Sequence, residues 1–153
     1  MTNCRPSQLE EFNLNRACIH EAGHTVIALH FGVEVSSIEV VRSKPTVMVD
    51  LERMNPQVRF IFLAGGAAGE CHRYKNYDQQ GVAGDQQKIK EWLGGSITDY
   101  LSDALKIVAA NDDRLNKLSE KLAWKWQCNS LGEAFEGGPE NHVLLWKSEI
   151  DLI

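Results

Sequence analysis

Two imidazoles and a carboxylate stand within five consecutive residues, His20-Glu21-Ala22-Gly23-His24, an H-E-x-x-H sequence. On a helix, at about 100° of rotation per residue, four steps carry His24 to within about 40° of His20 and one turn above it, so both rings can reach a single metal ion. Glu21 is turned round the helix from that pair. It is poorly placed as a ligand and well placed to hydrogen-bond to a water beside the metal. Bound Zn²⁺ lowers the pKa of such a water towards roughly 7, and a neighbouring carboxylate can take its proton and later hand it to the leaving amine of a peptide bond. The pentapeptide is short enough to arise by chance, and His20 and His24 would then be a solvated helix face with Glu21 in an ordinary ion pair.

A catalytic zinc site needs a third protein ligand and an open position for water. His30 stands where a longer H-E-x-x-H-x-x-G-x-x-H form would put a third histidine, but Ile27 replaces the glycine at which that form breaks the helix. If the helix continues, His30 lies about 240° round the axis from His24 and points away from the metal, so it reads as a partly buried helix-end residue. Glu70 would complete a two-His-one-Glu site, and Asp85 a two-His-one-Asp site. Spacing does not separate the two, and Asp85 also suits a plain N-cap. His142 and Tyr77 carry groups able to stabilise a tetrahedral oxyanion, although each is as readily a surface or packing residue.

The elements that must position these groups read as follows. Ala17, Val26, Ile27 and Leu29 fall at helical spacing within a segment from about Asn13 to Phe31, and Gly32 suits the C′ position that closes it. Residues 33–41 and 46–51 are short and β-branched, with Arg42-Ser43-Lys44-Pro45 as turn residues between them, which predicts a hairpin or two edge-type strands. Asn55-Pro56 is an N-cap followed by proline at the first helical position, opening a helix to about Tyr74. Within it the small residues of Leu63-Ala64-Gly65-Gly66-Ala67-Ala68-Gly69 weaken an isolated helix and suit close approach to a neighbouring one. Residues 74–84 read as a loop and 85–93 as a short helix. Ser96-x-x-Asp99 resembles a capping box, opening helix that runs to about Cys128 with an interruption near Asn111-Asp112-Asp113. Beyond Gly137-Gly138-Pro139 the chain reads as a short, weakly specified tail.

Composition narrows the function classes. At 153 residues the chain fits one domain, with a core over about 13–136 and short tails at both ends. A net charge of -5, with no basic stripe interleaved with aromatics, argues against nucleic acid as a partner. The first ten residues lack the apolar region of a signal peptide and no apolar run approaches the roughly 18 residues that span a bilayer, so the expectation is a cytoplasmic protein without a membrane partner. Cys4, Cys18, Cys71 and Cys128 form no C-x-x-C pair, and Cys18 and Cys71 fall in apolar helical surroundings that suit buried, inert thiols.

Taken in order, these pieces resemble the peptidase domain of FtsH-type ATP-dependent zinc metalloproteases and the stand-alone peptidase-like proteins related to it. That family carries H-E-x-G-H on a helix, then β-strands, then a helix with a Leu-Ala-Gly-Arg-x-Ala-Glu-Glu type segment. A loop follows, leading to Gly-Ala-x-x-Asp. The matching pieces are His20-Glu21-Ala22-Gly23-His24, Leu63-Ala64-Gly65-Gly66-Ala67-Ala68-Gly69-Glu70 and Val82-Ala83-Gly84-Asp85. The later run from Asp112 through Leu115 and Leu118 to Leu122 is similar to the family's C-terminal helix, so the likeness spans roughly Arg16 to Glu136; only the first and third pieces are specific.

The resemblance implies a zincin-like, predominantly helical α+β fold, Zn²⁺ as cofactor, His20, His24 and Asp85 as metal ligands, Glu21 as catalytic base, and Glu70 as a residue that orients a ligand or a loop. Gly66 and Gly69 replace the family's usual Arg and first Glu, so interactions supplied there by charge are absent or replaced. No ATPase module or membrane anchor has a counterpart in this sequence. The expectation is therefore limited proteolysis of flexible or unfolded polypeptide, with a separate ATPase or delivery protein as the accompanying partner class and a monomer or small homo-oligomer as the assembly. The competing expectation is a non-catalytic, metal-braced protein-binding module on the same fold. A third reading, a hydrolase of small amides, has no distinguishing residue.

Overall fold

The computed structural model describes residues 8–41, 44–93, 95–130 and 141–153, with side chains at all of these except 8–11, 93, 127–130 and 141–142. The first helix, α1, spans Gln8–His30, beginning earlier than its apolar periodicity predicts. From Cys18 onward it is buried along Ile19, Ala22, Val26, Ile27 and Ala28. It ends in a Schellman motif: the Gly32 N–H donates to the Leu29 carbonyl at 3.1 Å and the Val33 N–H to the Ala28 carbonyl at 2.8 Å. Gly32 takes φ +69°, the left-handed conformation that suits glycine at C′.

The predicted hairpin forms, from β1 (Val35–Val41) and β2 (Lys44–Val49), antiparallel with Ile38 opposite Val47. The turn residues Arg42 and Ser43 lie outside the described residues. A third strand, β3 (Asn141–Trp146), pairs antiparallel with the other side of β1, Ile38 facing Leu145, to give the order β2-β1-β3. This corrects the reading of the C-terminal segment as a tail. Leu144 and Leu145 are core residues there, and the following short helix α6 (Lys147–Asp151) buries Ile150. A six-residue strand whose partner lies about a hundred residues earlier leaves no local signature, because cross-strand packing is what stabilises it. With β1 in the centre, the outer edge of β2 pairs with no strand among the described residues.

After a 3-10 turn at Leu51–Arg53, α2 runs over Pro56–Tyr74 as predicted, the Asn55 side chain accepting from the Gln57 N–H at 2.9 Å. Its small-residue run is the surface on which α1 lies. A Cβ on Gly23 would overlap the Gly65 carbonyl, and one on Gly69 would sit 2.6 Å from the Ile19 carbonyl oxygen. Each glycine costs a helix about 1 kcal/mol relative to alanine, and close packing of the two backbones is what that loss permits.

The remaining helices complete the core. Helix α3 spans Ala83–Leu93, α4 Thr98–Ala110 and α5 Asp112–Ser130, the last two separated by the predicted break at Asn111. Only half of the expected capping box forms: the Ser96 N–H donates to Asp99 Oδ2 at 2.8 Å, while Ile97 occupies the N-cap. Ala104, Val108, Leu115, Leu118 and Leu122 close the core under α1 and α2. The fold is thus predominantly helical α+β with a small antiparallel sheet. No described helix is long and apolar enough to cross a membrane. Cys18 is buried as expected, Cys71 is only half-buried, and Cys4 and the Cys128 side chain fall outside the described set.

Candidate metal centre

The i,i+4 spacing on α1 does what helix geometry requires: His20 Nε2 and His24 Nε2 lie 3.1 Å apart. Asp85 Oδ2 is 3.1 Å from each of them, so the three atoms form an equilateral triangle. Asp85 comes from the first turn of α3, which begins two residues earlier than expected, so it is a helical residue and not the N-cap. The turn before it is fixed by the Val82 N–H on the Asp78 carbonyl at 3.1 Å and by burial of the Val82 side chain.

The outward ring nitrogens decide what the inward ones can do. His24 Nδ1 donates to the Phe62 carbonyl at 2.7 Å, and a carbonyl can only accept, so in the neutral ring Nε2 keeps its lone pair. His20 Nδ1 likewise donates to Glu70 Oε2 at 2.7 Å. Two lone pairs and a carboxylate oxygen therefore converge, an arrangement that repels itself unless a proton or a cation lies among them. This donor set can hold a metal ion.

Of the two carboxylates left open by spacing, the structure brings Asp85 into the triangle and sets Glu70 behind His20. Glu70 is almost fully buried and fully engaged: Oε1 accepts from Arg16 Nε at 2.6 Å and from the Asp78 N–H at 3.1 Å. Arg16 also reaches Asn76 through Nη2 and lies over the Tyr74 ring. The reading of the motif passed over Arg16, although it lies one turn before His20 on the same helix face, which is a legible signal. Gly66 has a role that sequence reading took as a missing charge: a Cβ there would overlap the His20 imidazole, so the glycine makes the space in which the ring stands.

Electrostatics follow from this packing. Burial opposes charge on His20, but its hydrogen bonds to Asp85 and Glu70 and the nearby Glu21 outweigh it and raise its pKa to about 10. Burial also opposes charge on His24, and Asp85 overcomes it in the same upward direction. The same imidazoles hold the Asp85 carboxyl well below the usual carboxylate range against the effect of burial. Burial would raise Glu70, yet His20, the Asp78 N–H and Arg16 bring it down. For Glu21 burial prevails and its pKa is raised, although His20, His24 and the Val47 N–H pull the other way.

Glu21 stands beside the triangle and outside it, in the wall of a chamber of about 390 Å³ that contains all three converging side chains. β2 from Pro45 to Val49 lines that chamber with Leu51, together with Phe62 and Leu63 of α2 and Gly84, Asp85 and Lys88 of α3. A second chamber of about 540 Å³ adjoins it on the Lys44 side, sharing His20, Glu21, Pro45 and Gly81. The cleft thus continues past Glu21 in both directions.

The remaining candidates stand apart from the centre. His30 is exposed at the end of α1, more so than expected, with its ring against Phe31. Tyr77 is a half-buried residue packed on the core. The His142 side chain lies outside the described set. In comparisons with known proteins, no family model matches this chain and no curated protein is significantly similar to it.

Proposed function

We propose that this chain is a zinc-dependent endopeptidase of the FtsH-peptidase-like, zincin type, acting on flexible or unfolded polypeptide. The observation that carries the reading is the triangle of His20, His24 and Asp85 with edges of 3.1 Å and Glu21 beside it. Zinc bound to nitrogen and oxygen at about 2.0–2.1 Å in tetrahedral geometry separates its ligand atoms by about 3.3 Å, so the donors are close to the spacing that ion needs, with one position left over. When bound, the ion supplies a Lewis acid and an acidified water.

The chain's own groups supply the rest. Glu21 takes the proton of the attacking water and returns it to the amide nitrogen as the C–N bond breaks. Glu70 and the Phe62 carbonyl hold the two imidazoles with Nε2 inward. The outer edge of β2 offers backbone groups on which an extended substrate can add as another strand, and the continuation of the cleft on both sides of Glu21 suits cleavage within a chain.

The test compares zinc content and cleavage of an unfolded protein for the wild type and Glu21→Gln. The variant should keep the metal and lose turnover by several orders of magnitude. Equal behaviour of the two would leave the metal-braced binding module as the better account. Anomalous scattering from crystals of the purified protein identifies the metal independently.

A further inference from the structure

The two chambers of the cleft differ in their charge. The second mixes Arg16 and Lys44 with Glu70 and Asp78 and has no clear bias. In the first, Lys88 is the single Lys or Arg among the lining residues, which otherwise combine His20, Glu21, His24 and Asp85 with apolar side chains such as Val47, Val49 and Leu51. Lys88 lies one turn beyond Asp85 on α3, so the two side chains share a helix face. Asp85, however, directs its charge to His20 and His24. Glu91, one turn further on, accepts a hydrogen bond from Gln87. Among the described residues no carboxylate lies within ion-pair distance of the Lys88 ammonium.

We propose that Lys88 is the specificity-determining cation of the cleft, selecting polypeptide segments in which an Asp or Glu side chain accompanies apolar residues. The proposal rests on the reading of the cleft as a polypeptide site. A strand added along β2 enters the chamber that Lys88 also lines, so its side chains meet both the apolar side chains there and the one uncommitted cation. With a divalent ion held by His20, His24 and Asp85, the charges of Glu21 and Asp85 would be offset and Lys88 would be the excess charge that an incoming carboxylate meets. A lysine ammonium suits this task because it is a mobile point charge that reaches a carboxylate without a fixed approach angle.

The experiment uses fluorescent peptides of one apolar sequence carrying Glu, Gln or Lys at a single scanned position. Binding is measured by anisotropy on zinc-loaded Glu21→Gln protein, and cleavage on the zinc-loaded wild type. At the best position the affinity order is Glu over Gln over Lys, with steps of about three- to fivefold, the range of a solvent-accessible ion pair. Lys88→Gln should level the series and Lys88→Glu invert it, and the preference should fade in roughly 1 M salt. A series that the wild type does not discriminate, or an order that survives Lys88→Gln, overturns the proposal. Charge-dependent binding without any cleavage by the wild type upholds it while refuting peptidase activity. Cleavage indifferent to charge does the reverse.

Discussion

His20 Nδ1 donates to Glu70 Oε2 at 2.7 Å, so Glu70 orients the imidazole from behind the His20–His24–Asp85 triangle instead of entering it. Through the other oxygen, Arg16 and the Asp78 N–H fix the carboxylate itself, so the orientation of His20 depends on a chain of part-buried polar contacts that stays outside the triangle. Removing the outer partner of a ligating histidine commonly lowers metal affinity about 10–100-fold. Glu70→Gln should therefore weaken zinc by that factor in competition with a chromophoric chelator, whereas Asp85→Asn, which alters the triangle, should weaken it further. The reverse ranking would make Glu70 the ligand.

Gly66 tests the same ring from the other side. The added methyl of Gly66→Ala overlaps the His20 imidazole, which Glu70 and Asp85 hold in place. Overpacking of this kind costs about 1–3 kcal/mol. Urea titration of the metal-free protein should show that loss, and zinc affinity should fall with it. Unchanged zinc affinity in a folded Gly66→Ala protein would mean that His20 is free to stand elsewhere.

The pH dependence of metal uptake has a definite sign. In the metal-free protein the His20 pKa is raised to about 10, so at neutral pH the cluster carries a proton that a metal ion must displace. The Asp85 carboxyl is already ionised and releases none. Apparent zinc affinity should rise with pH, by up to about tenfold per unit for each proton displaced, and level off as the pH passes the raised value. Calorimetry from pH 6 to 8 in buffers of different ionisation enthalpy measures the released proton directly. A flat profile with no proton release contradicts the arrangement.

The outer edge of β2 makes a separate prediction. The Val47 N–H faces the Glu21 carboxylate, on the cleft side of the strand. Val47→Pro removes an N–H that an added strand would take over from Glu21, and loss of that backbone hydrogen bond at roughly 0.5–1.5 kcal/mol corresponds to several-fold weaker peptide binding. Peptide affinity indifferent to this change and to charge substitutions at exposed Met48 would remove strand addition as the binding mode.

Much of this molecule is legible in its residues taken locally. The four-residue step from His20 to His24, the Asn55-Pro56 start of α2, the Gly32 stop of α1, the hairpin of β1 and β2 and the break at Asn111 all express interactions between residues close in sequence. Such interactions have fixed periods and fixed chemistry, so a linear reading recovers them. The glycines and alanines of α2 likewise announce close helix packing, though not which residue fills the space.

What only the tertiary structure decided are the relations between distant segments. Glu70 and Asp85 are both acidic and both adequately spaced from the H-E-x-x-H residues; which one faces the inward nitrogens depends on how α2 and α3 pack against α1. The same holds for the recruitment of β3 beside β1, for the use of Gly66 as room for an imidazole, and for the placing of Lys88 in the wall of the cleft. A sequence by itself determines which groups are present and the local turns that orient them. Their mutual distances are set by burial of the whole apolar surface at once, a collective quantity that no short stretch of residues encodes.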